Sequence, residues 1–519
     1  MKREGNFGEI NLDVSVGREP RRNLPQDETP FRIALIGDFS GRSLSDRGTN
    51  LGDLQPIAVD RDNFDEVLAR IRPKVGLPGE GNAPAETLTF SDLEDFHPDR
   101  LLQRSTMFQK LRGLRERLQD PRSALSVLAE LGIGQPAPSR VAIEREAQPR
   151  TSASVQAAAL ASSSLLDDTI AQTESQHNGE NVRRKDELRE FAHRVAAAHT
   201  APSADPRQAE VLAVIDRGLS LQMRSLLNFP PLQRLEAAWR AVFLLVRRVQ
   251  TSSQLKLYLL DVSQQELASD SSSSSDLRQC GAYRLLVEKT VGTPGADPWA
   301  LLAGNFVFGP DREDVELLRR MGKIAQAAGA VFLAEASPAL LGFESLAATP
   351  DSRDWGALPA EGAAWKSLRA APEAVHAGLA IPRFLLRLPY GKDTDPIESF
   401  PFEEMPDVPI HEHYLWGNPA FACALLLAQS FEEEGWQMRP GRSLEIDRLP
   451  LHVFKVDGEM ETQPCAEALI TDDTVERILE KGLIPLASMK DQDVVRVVRL
   501  QSIADPLQSL AGPWMLQRD

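Results

Sequence analysis

The sequence predicts an α/β protein in which mixed sheets are flanked by helices, with an N-terminal strand segment and a central linker. Three observations carry this expectation. Short strand-like runs such as Leu255–Val262 and Val331–Ala334 alternate with runs of three- and four-residue apolar spacing such as 311–328. The 519 residues exceed one ordinary domain and predict two or three. From Gly134 to about Ser163 the composition shifts to Pro, Ala, Ser, Gln and Arg without periodicity, which divides the chain.

The elements follow in order. In Gly8–Val16, residues Ile10, Leu12, Val14 and Val16 alternate with polar residues, the pattern of a half-buried strand. Isolated in an arm spanning 1–29, such a strand must pair with a distant segment or another chain. A second strand, Phe31–Ile36, runs into Gly37-Asp38-Phe39-Ser40-Gly41. No Lys-Ser/Thr follows at phosphate-loop spacing, so the glycines predict a tight turn. Asn63–Ile71 reads as an amphipathic helix capped by Asn63 or Asp62. Leu88–Phe90 reads as a strand, and Leu101, Leu102, Met107, Phe108, Leu111, Leu114 and Leu118 mark a helical run. This portion is expected to span 30–133. In the linker, 134–207, Ser164–Glu174 forms a capped amphipathic island with Leu166 and Ile170 on one face, and 184–198 predicts a helix.

The larger body, 208–502, opens with one helix through Leu227 and a second over Leu232–Val249, with Trp239 on its apolar face. The Ser271–Ser275 run is expected in a solvated loop. Phe384–Leu388, Ala468–Ile470 and Val494–Leu500 read as strands, and 503–519 as a tail.

Composition narrows the function. With 42% hydrophobic and 26% charged residues the chain is globular, and its longest apolar stretch, near 419–428, is too short to span a bilayer. No apolar signal segment follows Met1, and Cys280, Cys423 and Cys465 are too scattered for a disulfide framework or a metal site, so a reducing cytoplasm is expected. A formal net charge of −17 disfavours nucleic acid as the main partner. His411-Glu412-His413-Tyr414 offers two histidines without a third ligand and reads as an exposed turn. Asp393, Asp395, Glu403 and Glu404 read as an acidic surface loop, and Lys392 as a solvated lysine. No nucleophile elbow or cysteine signature is present. The expectation is therefore a scaffold with no catalytic residue, metal or cofactor. An enzyme would need a polar cluster around Gly37–Arg42 or His411–Tyr414.

Two groups of motifs carry a resemblance. Residues 8 to 132, with Pro30-Phe31-Arg32 through Gly41-Arg42, Asn63-Phe64 and the Leu88 to Leu118 block, resemble the small subunit of the contractile sheath of the bacterial type VI secretion system. Residues 164 to 502 resemble its large subunit. They carry Leu165-Leu166-Asp167-Asp168, Leu235-Glu236-Ala237-Ala238-Trp239-Arg240, Gly304-Asn305-Phe306, Pro382 to Gly391, and Tyr414-Leu415-Trp416-Gly417-Asn418. The resemblance implies a sheath-subunit-like fold and a cytoplasmic structural component of the secretion apparatus. Its partners would be other sheath subunits, with baseplate proteins, the inner tube protein Hcp and the AAA+ unfoldase ClpV as further candidates. It also implies that Ile10, Leu12, Val14 and Val16 form a donor strand, and that Leu165, Leu166 and Ile170 match the unfoldase-docking helix. Large subunits of this family continue into an inner domain beyond the position of Ser502, so the expected role is a cap, baseplate adaptor or specialised sheath relative. The alternative is a regulatory module that sequesters sheath subunits or the unfoldase.

Overall fold

The computed structural model describes residues 28–42, 50–78, 85–120, 122–131, 206–355, 362–441 and 444–514. The expected linker, 134–207, and its helix at 184–198 lie outside the described residues except for the last positions. In chain order the described strands begin with β1 (Phe31–Gly37), β2 (Ile57–Val59), β3 (Lys74–Leu77), β4 (Glu86–Thr89) and β5 (Leu255–Asp261). They continue with β6 (Leu301–Phe308), β7 (Val331–Ala336), β8 (Ala377–Ile381), β9 (Phe384–Leu385) and β10 (Trp416–Gly417). The last are β11 (Glu445–Ile446), β12 (His452–Val456), β13 (Glu459–Gln463), β14 (Ile484–Ser488) and β15 (Val495–Val497).

Nine of them form one mixed sheet in the order β11-β15-β14-β8-β7-β6-β1-β5-β2. The six strands from β14 to β5 are mutually parallel, and the outer pairs are antiparallel. Parallel strands covered on both faces read as continuous apolar runs, which is the character of Phe31–Gly37 and Val331–Ala336. Strand β1 lies between β5 and β6, with Ile33 opposite both Leu257 and Leu301. The strand of the N-terminal portion is thus central to the sheet of the larger body. Phe31, Ile33, Ala34 and Leu35 are fully buried there. Burial of each large apolar side chain contributes about 1.5–3 kcal/mol.

Alternate residues of β7 face opposite layers. Phe332, Ala334 and Ala336 join the core that holds Leu318, Met321 and Ile324 of the helix Arg312–Ala328. On the other face the helix Pro419–Glu434 lies across β6, β7 and β8, and also packs on the helix Pro230–Arg248. Its residues from Pro419 to Ala428 are all buried, so it is apolar all round rather than amphipathic.

Two compact units are distinguished: Met1–Phe108 with Ser220–Asp519, and Gln109–Leu219. Within the second, the helices Gln109–Gln119 and Ala124–Glu130 accompany the first part of the helix Pro206–Leu227. Arg115 pairs with Asp216 at 2.7 Å, and Gln208 Nε2 donates to the Leu118 carbonyl at 2.6 Å.

Several local expectations are corrected. The helical run to Leu118 is divided into Pro98–Arg104, a short 3₁₀ turn at Thr106–Phe108, and Gln109–Gln119. The break falls where Ser105 Oγ and the Thr106 amide bind the Glu86 carboxylate. Asn63 sits at the cap position of Phe64–Ile71, but its Oδ1 accepts from the Asp60 amide instead of the helix. Ser271 and Ser272 close the helix Gln264–Ser272, and Ser271 is buried rather than solvated. Strand character at Phe384–Leu388 stops at Leu385, because Arg387 turns inward to carboxylates. Ala468–Ile470 forms no strand; only Ala466 bridges to Phe384. The segment expected as a tail is packed through its described residues. Ile503 and Leu510 are buried, Ala511 N donates to the Val375 carbonyl, and Trp514 stacks on Phe31 at 6.4 Å.

Candidate functional site

The two sequence signatures meet at Trp239. This residue lies on the buried face of Pro230–Arg248, and its indole Nε1 donates to the Phe39 carbonyl at 2.8 Å. Phe39 and Phe64 contact the indole edge-on at 5.9 and 5.8 Å. The turn after β1 is held from a second direction. Asp261, at the end of β5, accepts the amides of Phe39 and Ser40 at 2.9 and 3.1 Å and the Ser40 hydroxyl at 2.7 Å. Arg42 bridges Asp261 and Glu266. The loop amides that a phosphate would need are therefore taken by an internal carboxylate, which burial pushes above the usual carboxylate value. Gly41 sits at φ +75°, and a Cβ there would lie 2.0 Å from the Lys74 carbonyl oxygen, so only glycine closes this turn.

One turn before Trp239, Glu236 is 1% exposed and binds two guanidiniums. Arg240 Nε donates to Glu236 Oε1 at 2.7 Å, and Arg387 Nε donates to the same oxygen at 2.8 Å. Arg387 also grips Glu404 at 2.7 and 3.0 Å. Glu404 accepts the Tyr390 amide at 2.7 Å, and Arg240 reaches the Tyr390 hydroxyl at 3.0 Å. Two carboxylates face two guanidiniums, so the cluster is charge-balanced. Burial alone would raise Glu236, but the two arginines outweigh it and hold it below the ordinary carboxylate range. This corrects the reading of Glu404 as surface acidity, for it is 1% exposed. The neighbouring loop is tied to the first signature as well, since Asp99 accepts the amides of Glu398 and Ser399 at 3.0 Å each.

A cleft of about 650 Å³ opens beside this junction, at the carboxyl ends of β1, β6 and β7. Asp38, Asn305, Glu335, Arg383, Glu412 and Tyr414 are among its lining residues. Both places where a polar cluster would be needed for chemistry thus border one cleft. The expected exposed turn at His411–Tyr414 is a 3₁₀ turn anchored inward. His411 Nε2 lies 3.0 Å from Glu467 Oε1, and the buried Tyr414 hydroxyl is 2.7 Å from His452 Nδ1. Burial would raise Glu467, but His411 and Arg383 draw it down to about 2. No group of three or more metal-ligating side chains is found among the described residues.

The donor-strand residues Ile10, Leu12, Val14 and Val16, and the docking residues Leu165, Leu166 and Ile170, lie outside the described residues. The partnership of Glu236, Arg387 and Glu404, and the burial of Glu335 beside the cleft, were missed from the sequence. The available signals were charges in apolar surroundings. Arg387 follows Phe384-Leu385-Leu386 directly, Glu335 is the charged residue of the otherwise apolar strand Val331–Ala336, and Glu236 with Arg240 forms an i,i+4 pair beside buried leucines.

Comparison with known proteins places both signatures. A family model described as EvpB/VC_A0108, tail sheath N-terminal domain (VipB), matches residues 209–504. A second, described as type VI secretion system, VipA, VC_A0107 or Hcp2, matches residues 9–131. Over 306 residues the chain is 33% identical to the type VI secretion system sheath protein TssC1 of Pseudomonas aeruginosa strain PAO1, covering 57% of this chain and 61% of that protein.

Proposed function

Because the chain belongs to the tail-sheath family of the type VI secretion system, and joins a small-subunit and a large-subunit segment in one polypeptide, we propose that it is a structural sheath component that assembles with other sheath subunits. The observation that carries this reading is the position of β1. The strand of the small-subunit segment fills the middle of the large-subunit sheet, and Trp239 fastens its turn. A partnership that the family otherwise divides between chains is here built as one folded body. Both segments are needed to complete it, which suits a fixed building block of an assembly. No helix among the described residues is long and apolar enough to cross a membrane.

The finer roles belong to this proposal. The alternating Ile10, Leu12, Val14 and Val16 support joining by strand addition to a neighbouring subunit. The match of Leu165, Leu166 and Ile170 to the docking-helix position supports handling by the unfoldase ClpV. Action as a cap, baseplate adaptor or specialised sheath relative, without enzymatic activity, and contact with Hcp on the cytoplasmic side complete the reading.

The test is co-expression with separate small and large sheath subunits, followed by purification and electron microscopy. Incorporation of tagged protein into tubules or at their ends is expected, and Leu12→Asp with Val14→Asp should abolish it. A protein that leaves sheath subunits unbound, or that blocks their assembly, would overturn the structural role. Leu166→Asp with Ile170→Asp should remove ClpV from a pull-down while leaving incorporation intact.

A further inference from the structure

The sheet has a topological switch point, and the cleft lies on it. The chain passes from β5 on one side of β1 to β6 on the other. In parallel α/β sheets the crevice beyond the strand ends at such a point is where ligands bind. Three helices begin at its wall: Pro230–Arg248, Gln264–Ser272 and Pro419–Glu434, represented there by Pro230, Gln264 and Asn418. Their positive ends favour an anion. Prolines and Asn418 use up the donors of the first and third, but the backbone N–H groups of Gln264 and Gln265 have no hydrogen-bond partner among the described residues.

The second observation is Glu335. It lines the cleft, is 9% exposed, and has no hydrogen bond or ion pair among the described residues. A third is the irregularity that aims Asn305 at the same space. Strand β6 loses register against β7 between Ala303 and Val307, and the Asn305 side chain there is likewise without a hydrogen bond. Bulges of this kind re-aim side chains beside sites.

We propose that this cleft binds a small organic anion, with a carboxylate or phosphate head received by Asn305, Glu335 and the Gln264–Gln265 amides. Its apolar body would lie along Phe306, Val307 and Trp416, which also line the cleft. The cleft volume of about 650 Å³ exceeds that of a bare inorganic ion and suits a small molecule. Burial holds the Glu335 carboxyl up at about 8, so at neutral pH it carries a proton and donates to the head group. The charged groups facing it are Arg383, already engaged by Glu467, with Glu412 nearby. His411 is held on Glu467, Asp38 accepts the Arg42 amide, and Lys74 and Arg234 flank the mouth without ion pairs among the described residues. A cation would have to displace the Glu335 proton and face three positive helix ends. The site goes beyond the sheath role and does not depend on it.

Isothermal titration of the full chain at constant ionic strength, near pH 6.5, would use phenyl phosphate, phenylacetate, inorganic phosphate and benzylamine. Saturable binding of at least one aromatic anion is expected, weaker binding of inorganic phosphate, and none of benzylamine. Which aromatic anion binds tighter identifies the head group. Arg234→Glu, on an exposed position, should weaken binding about tenfold by replacing attraction with repulsion. Affinity should fall above about pH 8 as Glu335 ionises, and Glu335→Gln should keep binding and lose that fall. Benzylamine binding, no saturable anion binding, or a pH fall that persists in Glu335→Gln would each overturn the proposal.

Discussion

The cluster around Arg387 and the cleft around Glu335 lie on the same side of the sheet, and they solve the burial of charge in opposite ways. At Arg387 both carboxylates have a guanidinium within 3.0 Å, and the two arginines hold Glu236 below the ordinary carboxylate range. At Glu335 the nearest cation, Arg383, is committed to Glu467 at 3.1 Å, so the buried carboxyl keeps its proton. Desolvation penalises both sites, and only the first has the compensating partners. Complete pairing marks a fastening that joins chain segments, whereas an unmatched group beside a cleft marks a place that something else can complete.

The largest effect should come from breaking the complete cluster. Arg387→Met leaves buried Glu404 without a guanidinium and Glu236 with Arg240 alone, and removing one member of a buried pair typically destabilises by about 3–5 kcal/mol. A urea titration of the variant should show that loss, and a cycle with Glu236→Gln should reveal strong coupling between the two residues. If the cycle is additive, the cluster is not a unit and the contrast with the cleft fails. The contribution of Glu236 has a defined pH sense. Its folded pKa is depressed, so its stabilisation is present above the unfolded value and is lost as pH falls through the folded one.

Next in size is the turn that the first signature contributes. Gly41→Ala combines a positive φ with a Cβ 2.0 Å from the Lys74 carbonyl oxygen, and should destabilise by about 2 kcal/mol or more. Trp239→Phe keeps most of the aromatic packing but leaves the buried Phe39 carbonyl without its donor, for about 1–2 kcal/mol. Thermal melts of the two variants should rank in that order. A Trp239→Phe protein as stable as the parent would mean that the indole does not fasten the two segments.

Much of the fold was legible because it rests on local pattern. The α/β class, the apolar strands and the helices 206–227, 230–248 and 312–328 follow from period and end signals that the chain carries locally. Partnership was not legible. Nothing within Phe31–Gly37 says that it will sit between strands more than 200 residues away, and Glu404 resembles its exposed neighbours until Arg387 turns toward it. Ala468–Ile470 misled for the complementary reason. Ala468 and Ile470 are buried, but by packing into the core and not by sheet pairing. Apolar pattern specifies burial and leaves its geometry to tertiary context.

The smallest predicted effect tests the cleft alone. Glu335 is raised in the folded protein, so the native state holds a proton that the unfolded state has released between the unfolded carboxylate value and about 8. Stability must therefore fall with rising pH across that window and level off above it. Glu335→Gln removes this dependence, so the variant should gain on the parent by about 1 kcal/mol between pH 7 and 8. The gain is measured as the difference between urea midpoints at the two pH values. Arg387→Met, by contrast, should show its deficit at both. A flat difference for Glu335→Gln would mean that the buried carboxyl has found a partner and is ionised, and the two regions would then be variants of one solution.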